Sequence, residues 1–359
     1  MLPKGFRHEG KIKRTGPIKV FVDSNENYPD GMAHTAEMMT SHGMVPGIWF
    51  MPFAGNFRSP YFDHELFAKN PDGTPFHDQR WSGTCLDMSH PKAQAFVAER
   101  VKRIHDWGYR YFKLDGMHTG APSYNIYVHT KYREDTLPDS RLDDPDMTHV
   151  EAYRKGLEIV RGAAPEAFIL GCNVSQNMVS MGPAFGLIDA MRIGPDNGSA
   201  GRGNFRGVKV GAWHGSTLYF LNGRVWHNDP DPVYVRPSNP LHMARLMCSW
   251  VALTGSMLTT SYQFSELPQQ RLDLLKRTMP GHGLLGRPVD LFDGDQPRIW
   301  TLTDNRGTVR RDVIGLFNWN EEDATEIVCD VDRLGLDPEA TYHAFDFWRD
   351  EFVEPVRGT

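Results

Sequence analysis

The chain has 359 residues, enough for one large domain and a smaller one, and its 40% hydrophobic and 23% charged content is that of an ordinary globular protein. A net charge of −6 argues against general affinity for nucleic acid or an anionic membrane, both of which require clustered Lys and Arg. Cys85, Cys172, Cys248 and Cys329 form no CxxC pair, which excludes an obvious disulfide framework or zinc site and points to reduced thiols.

The N-terminus has no apolar core of a signal peptide, and the longest apolar run, Leu246 to Thr260, is too short and polar to span a bilayer. A soluble, cytoplasmic protein is expected. Residues 1–16 read as an irregular lead-in, and Ile18–Val22 as a short strand. Asn27-Tyr28-Pro29-Asp30-Gly31 is turn chemistry before a helix over 32–42. Val45–Phe53 is a buried strand, followed by a long aromatic and polar loop over 54–83 and a brief strand at Thr84–Met88. The next helix runs from Ser89, as N-cap, to Trp107, with Pro91 in its first turn and Gly108 ending it. Tyr109–Asp115 is a strand that ends in a carboxylate.

After a loop over 116–145, an amphipathic helix covers 147–163. Strands follow at Phe168–Asn173 and Ile188–Asp196. A Gly- and Arg-containing loop at 198–207 lacks the ending of a phosphate loop and reads as a flexible active-site loop. Arg224–Asp231, a helix near 240–253, a strand at Ser256–Thr260 and a helix near 267–278 complete this region. From about 284 the pattern becomes β-rich, with runs at 298–302, 313–319 and 341–348 separated by turns. Short apolar strands alternating with helices, and polar strand ends, predict an α/β fold: a (β/α)8 TIM-type barrel over 1–283 and a C-terminal antiparallel β-sandwich over 284–359. Seven candidate barrel strands are found, so the first is either Ile18–Val22 or lies upstream of Met1.

Two carboxylates stand out. Asp115 and Asp196 each end an apolar strand, with Lys113 and Arg192 on the same strands. Alternation puts Lys113 and Asp115 on one side, and a nearby cation favours the ionised carboxylate that a nucleophile needs. A second carboxyl that holds its proton completes the pair required for glycoside cleavage. The competing reading is that both acids cap helices or pair with basic neighbours. Asn228-Asp229-Pro230-Asp231 similarly reads either as sugar-hydroxyl ligands, with a metal conceivable beside His227, or as Asx-turn chemistry before proline. His118 follows Asp115 closely and is a candidate for the site. Trp49, Trp213 and Trp226 are candidates to stack on a sugar face, with core packing the default.

With these residues in place, the chain resembles glycoside hydrolase family 36, the α-galactosidase (melibiase) family, and its clan relatives. Asn25–Met32 is similar to the family's N-x-x-F-P-x-G-M helix entry, Gly47–Phe53 to its G-I-W-x-x-P-F strand, and Leu86–Pro91 to its L-D-x-T-x-P segment. Tyr109–Asp115 matches the nucleophile strand and Asp189–Asp196 the acid/base strand, over roughly residues 20–355. The resemblance implies a retaining mechanism in which Asp115 attacks the anomeric carbon and Asp196 is acid and then base, with carboxyls about 5–6 Å apart. It further implies that Lys113 and Arg192 bind hydroxyls and that Trp49 and Cys172 line the sugar subsite; His118 and Asp229 stay candidates from their place beside these strand ends. No metal or organic cofactor is implied, and the partner is a small saccharide, with homo-oligomerisation left open. The chain departs from the family in having no Asp-Asp-Gly strand before Asn25 and no large N-terminal β-sandwich. Other glycones (β-L-arabinopyranose, α-N-acetylgalactosamine), transfer to a sugar acceptor, and a non-catalytic carbohydrate-binding protein are the alternatives.

Overall fold

The computed structural model describes residues 23–24, 28–78, 83–121, 139–172, 181–199, 202–203 and 205–358. The expected strand at 18–22, the motif residues Asn25, Glu26 and Asn27, most of the loop after Asp115, and Asn173 lie outside the described residues. The chain divides into two compact units, Met1–Ile193 with Val225–His227, and Gly194–Arg224 with Asn228–Thr359.

In the first unit a turn closed by Gly31 N–H donating to Tyr28 O (3.1 Å) leads into α1, Met32–Ser41. Strand β1 is Gly47–Phe50, α2 Pro91–Asp106, β2 Tyr111–Leu114, α3 His149–Ala163, β3 Phe168–Gly171 and β4 Ala190–Arg192. The strands lie in sheet order β1-β2-β3-β4, continued by β5, His227–Asp229, of which His227 belongs to this unit. Registers β1 to β4 are parallel, and His227 N–H donates to Asp189 O at 2.9 Å. Helices between consecutive parallel strands are what the alternating pattern dictates, so the α/β class expected from the sequence is the one observed. Apolar residues at helical spacing decide which faces are buried: Ala93, Val97, Val101 and Ile104 on α2, Ala152, Tyr153, Leu157 and Val160 on α3. The two helices pack on each other. On β2, Phe112 and Leu114 are fully buried, each contributing about 1.5–3 kcal/mol.

Two local expectations in this unit are corrected. Helix α2 begins at Pro91 with His90 as N-cap, its Nδ1 accepting from Lys92 N–H at 3.1 Å. Ser89 is instead bound to Asp87, donating from both N (2.9 Å) and Oγ (2.6 Å) to Oδ1. The strand expected at Thr84–Met88 is Gly83–Cys85, antiparallel to Ala54–Gly55 and His77–Asp78 and outside the parallel sheet. The preceding loop folds back onto it, with Cys85 N–H donating to Phe76 O and Ala68 N–H to Cys85 O, so its backbone groups are already used.

In the second unit the helices are α4 Phe205–Thr217, α5 Leu241–Thr254 and α6 Gln269–Thr278. The strand expected at 256–260 is reduced to one parallel bridge, Val233 to Thr260. Met257 N–H donates to Asn228 O and Val233 N–H to Thr259 O, but Pro230 and Pro232 between them have no N–H to continue a ladder. Two antiparallel sheets follow, β6 Ile299–Asp304 with β7 Arg311–Leu316, and β8 Tyr342–Asp346 with β9 Glu351–Val356. Fully buried Trp300 anchors β6 edge-on against Trp250 of α5 (6.2 Å, 81°) and Tyr219 (6.3 Å, 89°).

Asp87 is the tie that holds the loop before α3. Its Oδ2 accepts from Asp143 N–H at 2.7 Å, and Ser89 Oγ accepts from Asp144 N–H at 3.1 Å. Beside it, Ser140 Oγ and His149 Nε2 share a 2.8 Å hydrogen bond, and a capping box of Thr148 and Glu151 starts α3. Burial pushes the His149 imidazole below its ordinary value of 6.5, partly offset by the charge of Asp87 and the Ser140 backbone. His149 therefore contributes stability that is present above pH 6.5 and lost as pH falls through its lower folded value. Half-buried His214, whose imidazole desolvation also pushes below its ordinary value, acts with the same sign, so the comparison must isolate His149. His149→Gln is expected to lose less stability than wild type between pH 7 and pH 5 in urea unfolding; parallel losses would contradict this.

Candidate active site

The register sets the site. Gly47 lies opposite Tyr111 and Trp49 opposite Lys113; Tyr111 in turn lies opposite Phe168 and Lys113 opposite Leu170. One face of the sheet thus carries Gly47 and Trp49, Tyr111 and Lys113, Phe168 and Leu170, and by alternation Asp115, Cys172 and Arg192 at the carboxyl ends. Its lower layer is a stack of rings, Tyr111 on Phe168 (5.5 Å, 9°) and Phe168 on His227 (6.3 Å, 26°). Gly47 leaves room for that stack, since a Cβ there would lie 3.0 Å from Tyr111 Cδ1. The carboxyl ends of parallel strands are where ligands bind in such folds.

Asp115 follows β2 and is 9% exposed. Its N–H continues the ladder to Phe50 O at 2.9 Å, so its position is fixed by the sheet. Trp49 Nε1–H donates to Oδ2 at 2.9 Å, and Gly116 N–H donates to Oδ1 at 2.8 Å. Both oxygens of one buried carboxylate are therefore held by donors on rigid backbone or a rigid ring. Gly116 has φ 59, a left-handed conformation that favours glycine, and a Cβ there would displace the Met51 methyl, which stands 2.2 Å away. The chain then enters a short 3-10 turn, Met117–Gly120, that buries His118 at 1% exposure. Gly120 and Gly156 of α3 both face Phe53, with a Cβ on either meeting its ring below 3.0 Å, so the turn sits tightly against α3.

Arg192 ends β4 with 2% exposure, and its Nη1 donates to Cys172 Sγ at 3.7 Å. Lys113 and Trp49 are half-buried cross-strand neighbours. The structure thus brings Trp49 to Asp115 and Arg192 to Cys172, on one face of the sheet. Trp226 is core, packed on Phe185 at 5.1 Å. Asp189, at the other end of β4, accepts from Ile169 N–H (2.7 Å) and Arg161 Nη2 (2.6 Å), and so ties α3 to the sheet.

Asp196 and Asp229 belong to the second unit. Asp196 is exposed and lies four residues past the end of β4, beyond the strand expected to carry it. The next residue, Asn197, is buried: its N–H donates to Asp231 Oδ2 and its Nδ2 to Pro230 O, each at 2.8 Å. Asp229 is 2% exposed, and its Oδ1 accepts from Asp231 N–H at 2.9 Å, the Asx chemistry that the sequence left open as one reading. Asn197 was not among the sequence candidates, and Asp231 was one only as a sugar ligand or turn former, not as a partner of Asn197. Among the described residues no group of three or more His, Cys, Asp or Glu is placed to hold a metal. No described helix is long and apolar enough to cross a membrane.

No protein-family profile matches the chain. Its fold is shared with glycoside hydrolases that act on O-glycosyl bonds. An α-galactosidase from Thermus thermophilus in complex with stachyose superposes with TM-score 0.56 and 24% identity, over 71% of this chain and 54% of that one. A family 27 β-L-arabinopyranosidase from Geobacillus stearothermophilus gives TM-score 0.67 and 15% identity, over 97% and 80%. An isomalto-dextranase from Arthrobacter globiformis T6 complexed with panose gives 0.61 and 17%, over 96% and 60%. The chain spans about half the length of the Thermus enzyme.

Trp49→Phe keeps the ring but removes the donor to a buried carboxylate. A loss of about 1.5–3 kcal/mol in urea unfolding is expected, the value of a hydrogen bond to a charged group. Unchanged stability would show that the bond contributes nothing net.

Proposed function

We propose that this chain is a retaining glycoside hydrolase of the α-galactosidase clan, acting from the non-reducing end of a small saccharide. The observation that carries the reading is the buried Asp115 carboxylate at the carboxyl end of a parallel strand, held at both oxygens by Trp49 and Gly116. Asp115 attacks the anomeric carbon as the glycosidic bond breaks, and Asp196 gives its proton to the leaving oxygen. Asp196 then takes a proton from water, which attacks the same carbon and releases Asp115. Lys113 and Arg192 bind hydroxyls, Trp49 and Cys172 line the glycone subsite, and His118 and Asp229 complete it. The exposure of Asp196 suits a group that must meet both aglycone and water. The division into a barrel over 1–283 and a β domain over 284–359 is part of the same proposal.

Assignment to family 36 rests on the ordered sequence motifs. The fold likeness to the family 27 arabinopyranosidase, which extends over 97% of the chain, keeps β-L-arabinopyranoside as a second reading of the glycone. Galactose and arabinopyranose differ only in the exocyclic hydroxymethyl group, so the same carboxylates serve either.

A panel of nitrophenyl glycosides separates these readings. The α-galactoside is expected to be cleaved fastest, with Asp115→Ala lowering kcat by on the order of 10⁴-fold while sugar binding persists. Faster cleavage of the arabinopyranoside would move the glycone. A wild type that binds galactose without turnover would identify a non-catalytic carbohydrate-binding protein. In a crystal structure the two carboxyls are expected about 5–6 Å apart, and a separation of roughly 9 Å would contradict retention.

A further inference from the structure

We infer that Asp231 is a positioning residue for the acid/base, acting through Asn197; this rests on the reading of Asp196 as that group. Asp196 is exposed and follows Gly194 and Pro195, outside any strand, so no sheet register fixes it. A proton donor nevertheless has to be held within about 0.5 Å of its productive position at hydrogen-bond distance from the leaving oxygen. The residue that follows is tied down on both its backbone and its side chain. Asn197 is 3% exposed, and the turn at 229–231 binds it twice, Asp231 Oδ2 accepting its backbone N–H and Pro230 O accepting its side-chain amide, both at 2.8 Å.

The turn itself is built to present that carboxylate. Asp231 has φ 75, a left-handed conformation that a non-glycine residue adopts at a cost, and Asp229 Oδ1 holds it there through the Asp231 N–H at 2.9 Å. Asp229 and Asp231 are 2% and 5% exposed, so little of either carboxylate faces solvent. On the other side helix α4 closes on the same segment. A Cβ on Gly211 would lie 2.8 Å from Asn197 Oδ1, and one on Gly194 would lie 3.0 Å from Gly211 Cα. The segment 194–197 is thus clamped between a strained turn and a glycine face of a helix, with Asp196 the exposed residue on it. Strain maintained by buried hydrogen bonds next to a reacting group is the pattern expected of a preorganised site.

The test separates a positioning role from a structural one by leaving-group dependence. kcat/KM for the glycone cleaved fastest in the panel is measured with a dinitrophenyl aglycone, which departs without acid help, and with an alkyl aglycone, which needs it. Asp196→Ala calibrates the selective loss. Asp231→Ala is expected to lower kcat/KM for the alkyl glycoside by on the order of 10²-fold, the cost of about 1 Å of misplacement, and to leave the dinitrophenyl glycoside nearly unchanged. Asp231→Asn keeps an acceptor for the Asn197 N–H and is expected to restore the alkyl rate. The ratio of the two rates is independent of the folded fraction. Should Asp231→Ala not fold, Asp231→Gly, which adopts φ 75 without strain and also lacks the acceptor, carries the same test. Equal loss on both aglycones, with Asp196→Ala selective, would overturn the positioning role and leave the acid/base reading intact. An Asp196→Ala variant without selectivity would overturn the acid/base reading itself, and the positioning role with it.

Discussion

A parallel register that sets Gly47 opposite Tyr111 also sets Trp49 opposite Lys113, and brings an indole N–H within 2.9 Å of the carboxylate two residues further along the strand. A slip by one residue would turn Trp49 and Asp115 to opposite faces and abolish the contact. The register is fixed by packing below it, where Tyr111 stacks on Phe168 over the space left by Gly47, and by Phe112 and Leu114 buried on the other face. Hydrophobic burial therefore determines where a charged group sits, and a buried carboxylate with two fixed donors is the result.

The two carboxylates of the proposal are held by different means. Asp115 is held from within the sheet, by ladder hydrogen bonding, a glycine with positive φ and a rigid indole. Asp196 stands on irregular backbone, next to Asn197, which is bound to Asp231 and Pro230. That difference matches the different tasks: a nucleophile needs one fixed approach, whereas an acid/base serves an aglycone first and water second.

Much of the fold was legible in the sequence, because 3.6-residue and two-residue apolar periods specify helices and strands directly. Ala93, Val97, Val101 and Ile104 marked α2, and Tyr109–Asp115 marked the strand with its carboxylate. Contacts set by tertiary pairing were less legible. Gly83–Cys85 has strand composition, yet its partners are chosen by a loop that folds back from 54–78. Ser89 looks like an N-cap, but the carboxylate of Asp87 two residues earlier competes for its hydroxyl and wins. At the site, Asp115 was recognisable from its strand and glycine. The roles of Asn197 and Asp231 depend on a pairing across more than thirty residues that no local pattern encodes.

The central claim is that Asp115 forms a covalent bond to the sugar. A fluorinated galactosyl fluoride, in which fluoride leaves readily and the ring fluorine slows hydrolysis of the intermediate, traps that bond in a retaining enzyme. Peptide mass spectrometry of the inactivated protein should then find one glycosyl group on Asp115, with protection by free galactose. A glycosyl group on any other carboxylate, or turnover of substrate with no adduct at Asp115, would contradict it.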